Sequence, residues 1–325
     1  MDNDDIFDAY VMREIDALDM AETEGTLAAD LLAEQDDRDI AELILLLAAL
    51  GRGETISRER LRRVHALRRD VFDRIKARLM VVLERLVRDE TRFASDTLGT
   101  DRDARGQSRR LGDGAAVILL GAVLSREIKI GKDASSVDDL LASLASIDED
   151  AINDVLERHR TGRLTIAQLP DALGLAFAET RRAIIGVAQL LVQHARAVVT
   201  TDGIQIMGVG AWVKWVSILD SKTTAYCRGQ SGKIYRAGEV PNPPPAHWGC
   251  RSTLVPFFPD QGEPNEPTYS DWLRKQSRDK VEDILGKRKA AMFLDEGVAL
   301  DRFTDREGRE LTIKQLAAKR ATVAP

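Results

Sequence analysis

The stretch from Trp212 to Phe258 constrains the fold more than any other, because it concentrates the residues of unusual chemistry. It holds both cysteines, one of four histidines, three of four tryptophans and five of ten prolines in a 325-residue chain. Alternating β-prone residues predict a strand over 212–219, and two shorter strands are predicted at 233–235 and 252–257. We therefore expect a small module of short strands and loops here.

The rest of the chain is predicted to be helical, since Leu, Ala, Arg and Glu are abundant and aromatic residues make up only 5%. Before residue 51, helical spacing predicts two or three short helices, broken at Gly25 and Thr26. From Thr55 to Leu98 the same spacing continues without a break and predicts one helix about 60 Å long.

These patterns predict a mainly α fold with a small α+β Cys/His module and an extended helical N-terminal half that includes one long helix. Four segments are expected, in this order: an acidic helical arm (1–54), a helical domain with the long basic helix and a linker at 99–114 (55–205), the Cys/His module (206–262), and C-terminal helices with a hairpin (263–325).

Charge is distributed unevenly along the chain. The net charge is −6 overall, but residues 1–50 carry a net −13 and residues 51–110 a net +7. Such segments are either complementary to each other or face two different partners. Solvated helix faces are the plainer interpretation of the long helix. The alternative is that its cations contact an acidic partner such as DNA, through Arg58, Arg62, Arg63, Arg68, Arg69 and Lys76.

Targeting signals are not evident in the sequence. No apolar run reaches the roughly 18–20 residues that a membrane span needs. The N-terminal MDNDDIFD is acidic, the opposite of a secretory leader. We therefore expect a chain made in the cytosol with no membrane partner, and two cysteines are too few for a disulfide scaffold.

The potential metal ligands are Cys227, His247 and Cys250, with Asp220 or water as a fourth. Two residues between His247 and Cys250 allow a tight turn to aim both side chains at one ion, and this donor set suits zinc. The signal is incomplete, because Thr224 stands where a second thiolate would complete a CxxC pair. A Cys227–Cys250 disulfide and ordinary interior packing remain alternatives.

Motifs for enzymatic chemistry are weak. Residues 229–233, GQSGK, are too short for a phosphate-binding loop, and neither GxSxG nor HExxH occurs. A metal-dependent nuclease or hydrolase that uses the Cys/His module stays as the alternative, but it lacks a general base unless Asp220 is free. We therefore expect that the protein is not an enzyme.

Within the module, three motifs carry a resemblance to a known family. They are Asp220-x-x-Thr223-x-x-x-Cys227, Gly232-Lys-Ile-Tyr235 and Pro244-Pro245-x-His247-x-x-Cys250-Arg251. They resemble the phage Mu F-like head morphogenesis (minor head protein) family, over about residues 165–325. Many members carry cysteine where Thr224 and Ser252 stand, which argues against a four-thiolate site.

The resemblance implies a virion component inside the head, near the portal vertex, that acts in head assembly, DNA packaging or DNA ejection. Implied partners are the portal protein, capsid or scaffold proteins and packaged DNA, with several copies per particle and a cytoplasmic stage in the host. The long basic helix suits DNA or an acidic portal surface. Around the ligand set we expect packing by Trp215, Thr223, Tyr235, Pro244, Pro245 and Arg251.

Overall fold

The structure is a computed structural model, which describes residues 2–48, 58–98, 111, 114–130, 133–208, 212–259, 262, 264, 266–305 and 308–323. It is 71% helical with 8% strand and has a small sheet beside the Cys/His cluster, which confirms the predicted fold class. The predicted linker at 99–114 lies mostly outside the described residues.

The α-helices are α1 (Asn3–Ala48), α2 (Arg58–Leu98), α3 (Ala115–Ser125), α4 (Val137–Arg160), α5 (Leu169–Ile206), α6 (Ala225–Gln230), α7 (Tyr269–Arg274), α8 (Arg278–Leu285), α9 (Lys287–Leu294) and α10 (Ile313–Val323). The strands are β1 (Ile128–Ile130), β2 (Asp133–Ser135), β3 (Trp212–Ser217), β4 (Ile234–Arg236) and β5 (Ser252–Phe257). Two 3₁₀ turns cover Ile166–Gln168 and Leu300–Phe303.

The acidic arm differs from its prediction. It is one continuous helix of 46 residues, so the expected break at Gly25 is wrong. Gly25 is buried within α1, and a Cβ atom there would lie 2.9 Å from the Cα atom of Ile185 and 3.1 Å from the Cβ atom of Ala188. The glycine therefore serves the close approach of α1 to α5 rather than a turn.

The apolar patterns of residues 137–144 and 148–159 each predict a short helix, but one continuous helix, α4, runs from Val137 to Arg160. Ser136 and Asp139 form a capping box at its start. The acidic residues in its middle made the apolar pattern look interrupted. One of them, Asp148, is fully buried in the structure and has a basic partner described below.

Other predictions are confirmed with small changes of boundary. The long basic helix is α2, with 41 residues, and Thr165 and Gln168 form the expected capping box before α5. The last helix begins after Thr312, whose hydroxyl accepts a hydrogen bond from the Gln315 amide. Among the expected C-terminal helices, α7 and α8 are separate, because Ser277 caps the start of α8.

By contacts, the chain forms two compact units: residues 17–86 with 135–192, and residues 1–16 with 87–134 and 193–325. Helices α1, α2 and α5 each contribute to both units. The units therefore do not follow the four predicted segments, and the acidic arm is part of the folded core. The first unit is helical, with an apolar cluster that includes Leu43, Val64, Ile152, Leu173 and Phe177.

The second unit contains the predicted strands. Strand β3 is central and pairs antiparallel with β4 and β5, with Trp215 opposite Leu254 and Ser217 opposite Ser252. Every residue of β5 is buried. So small a sheet cannot enclose a core, and it packs on a cluster that includes Ile6, Tyr10, Leu98, Ile204 and Met207.

The C-terminal helices α7 to α10 form a further cluster of the second unit, around Tyr269, Phe293 and Phe303. Helix α6 lies close against the 3₁₀ turn at 300–303. A Cβ atom on Gly229 would be only 2.8 Å from the Cα atom of Asp301, so glycine is needed for this contact. The tail thus packs directly on the Cys/His module.

Helix α5 is the one described helix that is long and apolar enough to cross a membrane by length and composition. In the structure, 78% of its most apolar window is buried. Such burial is typical of a helix in a protein core. Length and composition alone are therefore weak evidence that α5 spans a membrane.

Replacing Gly25 with alanine tests the close contact between α1 and α5. The added methyl group must displace the Ile185 backbone, so we expect the free energy of unfolding to fall by about 1–3 kcal/mol. The matched control is Gly174→Ala, also in a helix but with no atom within 4 Å of the added Cβ. It should raise stability by about 0.5–1 kcal/mol. Equal effects in denaturant titrations would contradict the contact.

Candidate metal centre

The turn after β3 positions Cys227. The Asp220 carboxylate accepts hydrogen bonds from the backbone N–H groups of Lys222 (3.0 Å) and Thr223 (3.1 Å). This turn leads into the short helix α6, whose N-cap residue is Thr224. Cys227 lies one turn further along and points inward, with 1% of its surface exposed.

A proline-rich loop delivers the other two candidate ligands. It contains a cis peptide bond between Pro244 and Pro245, both buried. After it, the Cys250 N–H donates to the His247 carbonyl (3.1 Å), which closes the tight turn that the spacing predicted. Gly249 within this turn has φ of +64°, a conformation that favours glycine.

The structure brings Cys227, His247 and Cys250 together, with their ligand atoms all within 4.8 Å of one another. The two Sγ atoms are 3.8 Å apart, and Cys227 Sγ is 3.1 Å from His247 Nε2. Around a tetrahedral zinc ion, two sulfurs are about 3.8 Å apart, and a sulfur and a nitrogen about 3.5 Å. Two of the three pairs are therefore within a few tenths of an ångström of tetrahedral separations, and all three ligand atoms lie within 4.8 Å of one another.

Hydrogen bonding fixes the imidazole for this role. His247 Nδ1 lies 2.9 Å from the Trp248 carbonyl oxygen. A carbonyl only accepts, so Nδ1 carries a proton and Nε2 is the nitrogen that faces the sulfurs. Burial acts to lower the pKa of His247. The hydrogen bond between His247 and Cys250, together with the negative charge at Cys250, raises this pKa above its ordinary value.

The two thiols are electrostatically unlike. The hydrogen bond from Cys227 lowers the pKa of Cys250 well below its ordinary value, and His247 lowers it further. The same hydrogen bond, together with burial, raises the pKa of the Cys227 thiol. Cys250 is therefore the more readily ionised of the two, and the thiolate is the form in which cysteine binds metals.

The disulfide alternative does not describe this structure. Both cysteines are free, and their separation of 3.8 Å is far from the roughly 2.05 Å of an S–S bond. Ordinary packing accounts for their burial but not for three donor atoms that converge from two separate segments. The three donors lie within metal-binding distance of one another.

Asp220, expected as a fourth ligand, lies elsewhere. Its two carboxylate oxygens accept one hydrogen bond each from Arg251, both of 2.8 Å. These bonds hold the pKa of Asp220 below its ordinary value. Asp220 therefore ties the turn before α6 to the residue after Cys250, and it supports the ligands without joining them.

Two hydroxyl groups beside the sulfurs were missed as site residues. Thr224 Oγ1 is 2.8 Å from His247 Nε2. Ser252 Oγ lies 3.1 Å from Ser217 Oγ, which donates a hydrogen bond to the backbone carbonyl of Cys227 (2.9 Å). The spacing Thr224-x-x-Cys227 was the available signal for the first of them. The second follows only from the pairing of β3 with β5.

The expected packing residues have different contacts within the module. Trp215 is buried, its ring meets Tyr226 edge-on at 5.9 Å, and its indole N–H donates to Ser217. Tyr235 hydrogen-bonds Gln230 in α6. Pro244 and Pro245 line a cavity of about 390 Å³, away from the sulfurs. Thr223 and Arg251 act through Asp220.

Arg68, expected to contact DNA or a portal surface, is instead a core residue with 1% of its surface exposed. Its guanidinium donates to Asp148 (2.6 and 2.7 Å), Asp39 (2.7 Å) and Asp36 (3.0 Å). It also lies 4.0 Å above the ring of Phe177. This prediction is wrong, because burial and three carboxylates leave no charge available to a partner.

The other cations of the set are exposed to different degrees. Arg69 pairs with Glu149 (2.7 Å), Lys76 with Asp138 (2.9 Å) and Arg63 with Glu59 (3.5 Å). Arg62 is exposed, and the side chain of Arg58 lies outside the described residues. Carboxylates of α1 pair with arginines of α2, which favours the self-complementary interpretation of the charge pattern.

Comparison with known proteins adds no assignment: no protein-family model, curated protein or solved structure matches the chain. The resemblance to the minor head protein family therefore depends on the module residues themselves.

Replacing Arg68 with methionine, which has a similar length, tests its role. Asp39 and Asp148 would lose their counter-charge, and Asp36 would keep only Arg181, so we expect a loss of about 3–5 kcal/mol in the free energy of unfolding. The control is Arg62→Met, exposed on the same helix, which should change stability by less than about 0.5 kcal/mol. Similar denaturation midpoints for both variants would show that Arg68 is not a core residue.

Proposed function

We propose that the chain is a minor head protein of a tailed phage or related particle, placed inside the capsid at the portal vertex. Its proposed work is in head assembly, DNA packaging or DNA ejection, beside the portal protein and capsid or scaffold proteins. The proposal starts from the motifs in residues 220–251 that resemble the phage Mu F-like family.

One observation carries the proposal beyond the sequence. The motif residues, which are scattered over more than thirty positions, meet in two adjacent sets: Asp220 with Arg251, and Cys227 with His247 and Cys250. A motif whose members all support one small packed module is what a structural role requires. Apolar residues of α1, α2 and α5 from the same unit pack against the module, which favours a rigid structural role within an assembly.

We infer further that the donor set holds zinc. Two thiolates and an imidazole match the preferences of this ion, and the spacing of the sulfurs fits a tetrahedral centre. Bound there, zinc would supply a cross-link between α6 and the loop before β5. A three-stranded sheet gains much from such a link, because its own core is small.

The hydrolase alternative is less well supported. Metal-assisted hydrolysis needs a group that accepts a proton near the ion. Asp220 is engaged by Arg251 through both oxygens. The three-donor group found among the described residues includes no carboxylate. A structural centre therefore explains the arrangement better than a catalytic one.

Metal content tests the zinc inference. Protein purified without chelator should contain about one zinc ion per chain by elemental analysis. Cys250→Ala should lose it, and residues 212–258 should lose protection from hydrogen exchange, whereas Ser221→Ala, an exposed position in the same module, should keep both. Less than about 0.1 metal ion per chain in the unmodified protein would rule zinc out.

Quantitative mass spectrometry of purified particles tests the proposed location. Particles that contain DNA should carry this chain in a small, constant number of copies per portal. Detection in the lysate alone, with none in finished particles, would instead indicate a transient assembly factor or the hydrolase.

A further inference from the structure

The cavity of about 390 Å³ beside Pro244 and Pro245 is lined by residues other than the three candidate metal ligands. Its wall comes from three parts of the second unit: residues 126–129 after α3, helix α5, and the proline-rich loop. Pockets that bind small molecules have about 300–1,000 Å³ and combine an apolar lining with a few polar groups. The size of this cavity is therefore that of a small-molecule site.

His194 brings a hydrogen-bond acceptor to the cavity that it lines. The residue is only 4% exposed, and its Nε2 atom lies 3.0 Å from the Val123 carbonyl oxygen. Since a carbonyl only accepts, Nε2 carries a proton. Burial lowers the pKa of His194 to about 4, so the ring is neutral at pH 7. Its Nδ1 atom therefore has a lone pair, to which none of the residues that the structure describes donates.

Asn242 brings a second acceptor. Its Oδ1 atom is buried and takes no hydrogen bond from the described residues. In the part of the chain that the structure describes, several buried side-chain atoms lack a partner, and Asn242 Oδ1 is the one whose residue lines this cavity. A buried acceptor without a donor destabilises a fold. A molecule in the cavity that donates hydrogen bonds to both acceptors would remove that cost.

The charged groups of the lining favour an occupant without net charge. Arg126 and Asp202 are bonded to each other through two hydrogen bonds of 3.1 and 2.7 Å. Lys129 and Glu127 are both exposed and have opposite signs. Because these charges cancel in pairs, they give little preference for an anion or for a cation.

The rest of the lining is largely apolar. Ile128, Val240 and the prolines at 241 and 243–245 border the space. Their side chains offer no hydrogen bonds, so water would find partners at only a few points of this wall. A flat ring gains from contact with such a wall, because its apolar face is removed from water.

We propose that the cavity binds a nucleobase that carries an exocyclic amine, as cytosine and adenine do. Such an amine donates two hydrogen bonds. It is also uncharged at pH 7, unlike an alkyl amine, because its lone pair is conjugated with the ring. The base comes either from a free nucleoside or nucleotide, or from single-stranded DNA. The inference depends neither on the zinc centre nor on the head role.

Matched pairs of nucleosides test the inference in the full chain. Cytidine has an amine where uridine has a carbonyl oxygen, and adenosine differs from inosine in the same way. We expect calorimetric titration to give one cytidine per chain and at least about tenfold weaker binding of uridine, whose carbonyl would face two acceptors. Adenosine should likewise bind more tightly than inosine. Equal binding within each pair, or no binding at all, would overturn the inference.

A variant at Asn242 tests the second acceptor. Asn242→Leu removes an oxygen that has no partner in the fold, so the denaturation midpoint should not fall. The preference for cytidine over uridine should decrease at least about fivefold. The control is Lys129→Leu, at an exposed charge of the same lining, which should keep this preference. An unchanged preference in the folded Asn242→Leu variant would overturn the inference. If that variant does not fold, the nucleoside pairs in the unmodified protein still decide.

Short oligonucleotides separate the two sources of the base. A deoxycytidine oligomer that binds at least about tenfold more tightly than cytidine assigns the site to single-stranded DNA. A deoxyuridine oligomer is the control, because contacts to phosphate do not depend on the base. No gain for the deoxycytidine oligomer assigns the site to free nucleosides.

Nicotinamide tests the ligand class, because its carboxamide also offers two donors. Tighter binding of nicotinamide than of cytidine would show that the occupant is not a nucleobase. Failure of every ligand would leave the metal analysis and the particle measurement unaffected, so the proposed function is judged separately.

Discussion

The convergence of Cys227, His247 and Cys250 is the interaction on which the rest of the module depends. It joins α6 to the loop before β5. Helix α6 follows β3 in the chain, and β5 pairs with β3. The strands on either side of β3 are short, with three residues in β4 and six in β5. Without this link, so small a sheet would do little to hold the loops between its strands in place. The Asp220–Arg251 pair braces the same two segments from the outside.

Much of this module could be predicted, because its constraints are local in the sequence. Alternation predicted β3, and the two-residue spacing of His247 and Cys250 predicted that their side chains lie close together. Asp220 was expected as a fourth ligand, but it pairs with Arg251. Spacing shows which residues can lie close together, and it does not show which of several partners a carboxylate binds. Arg251, adjacent to Cys250, donates two charge-assisted hydrogen bonds that occupy both carboxylate oxygens of Asp220.

The helical content of the chain was predicted, but some helix boundaries and some buried side chains were not, because these depend on contacts between helices that are distant in the sequence. Gly25 looks like a break in isolation, and its real purpose is visible only when Ile185 is placed against it. Arg68 looks like one more surface cation of a basic helix. Its burial depends on Asp36, Asp39 and Asp148, from two other helices, and no local pattern reveals that arrangement.

The internal pairing of charge narrows how the protein can contact its partners. The negative α1 and positive α2 satisfy each other partly within the fold, so the sequence excess of +7 overstates the cations available for DNA. Recognition in the proposed head role would then depend more on shape and on the module, where Trp248 is exposed beside the donor set.

X-ray absorption at the zinc edge of the purified full chain tests the central claim most directly. The account predicts a zinc ion with sulfur neighbours at about 2.3 Å and an imidazole nitrogen at about 2.0–2.1 Å. A zinc shell made only of oxygen and nitrogen would show that the two cysteines are not ligands and would contradict it.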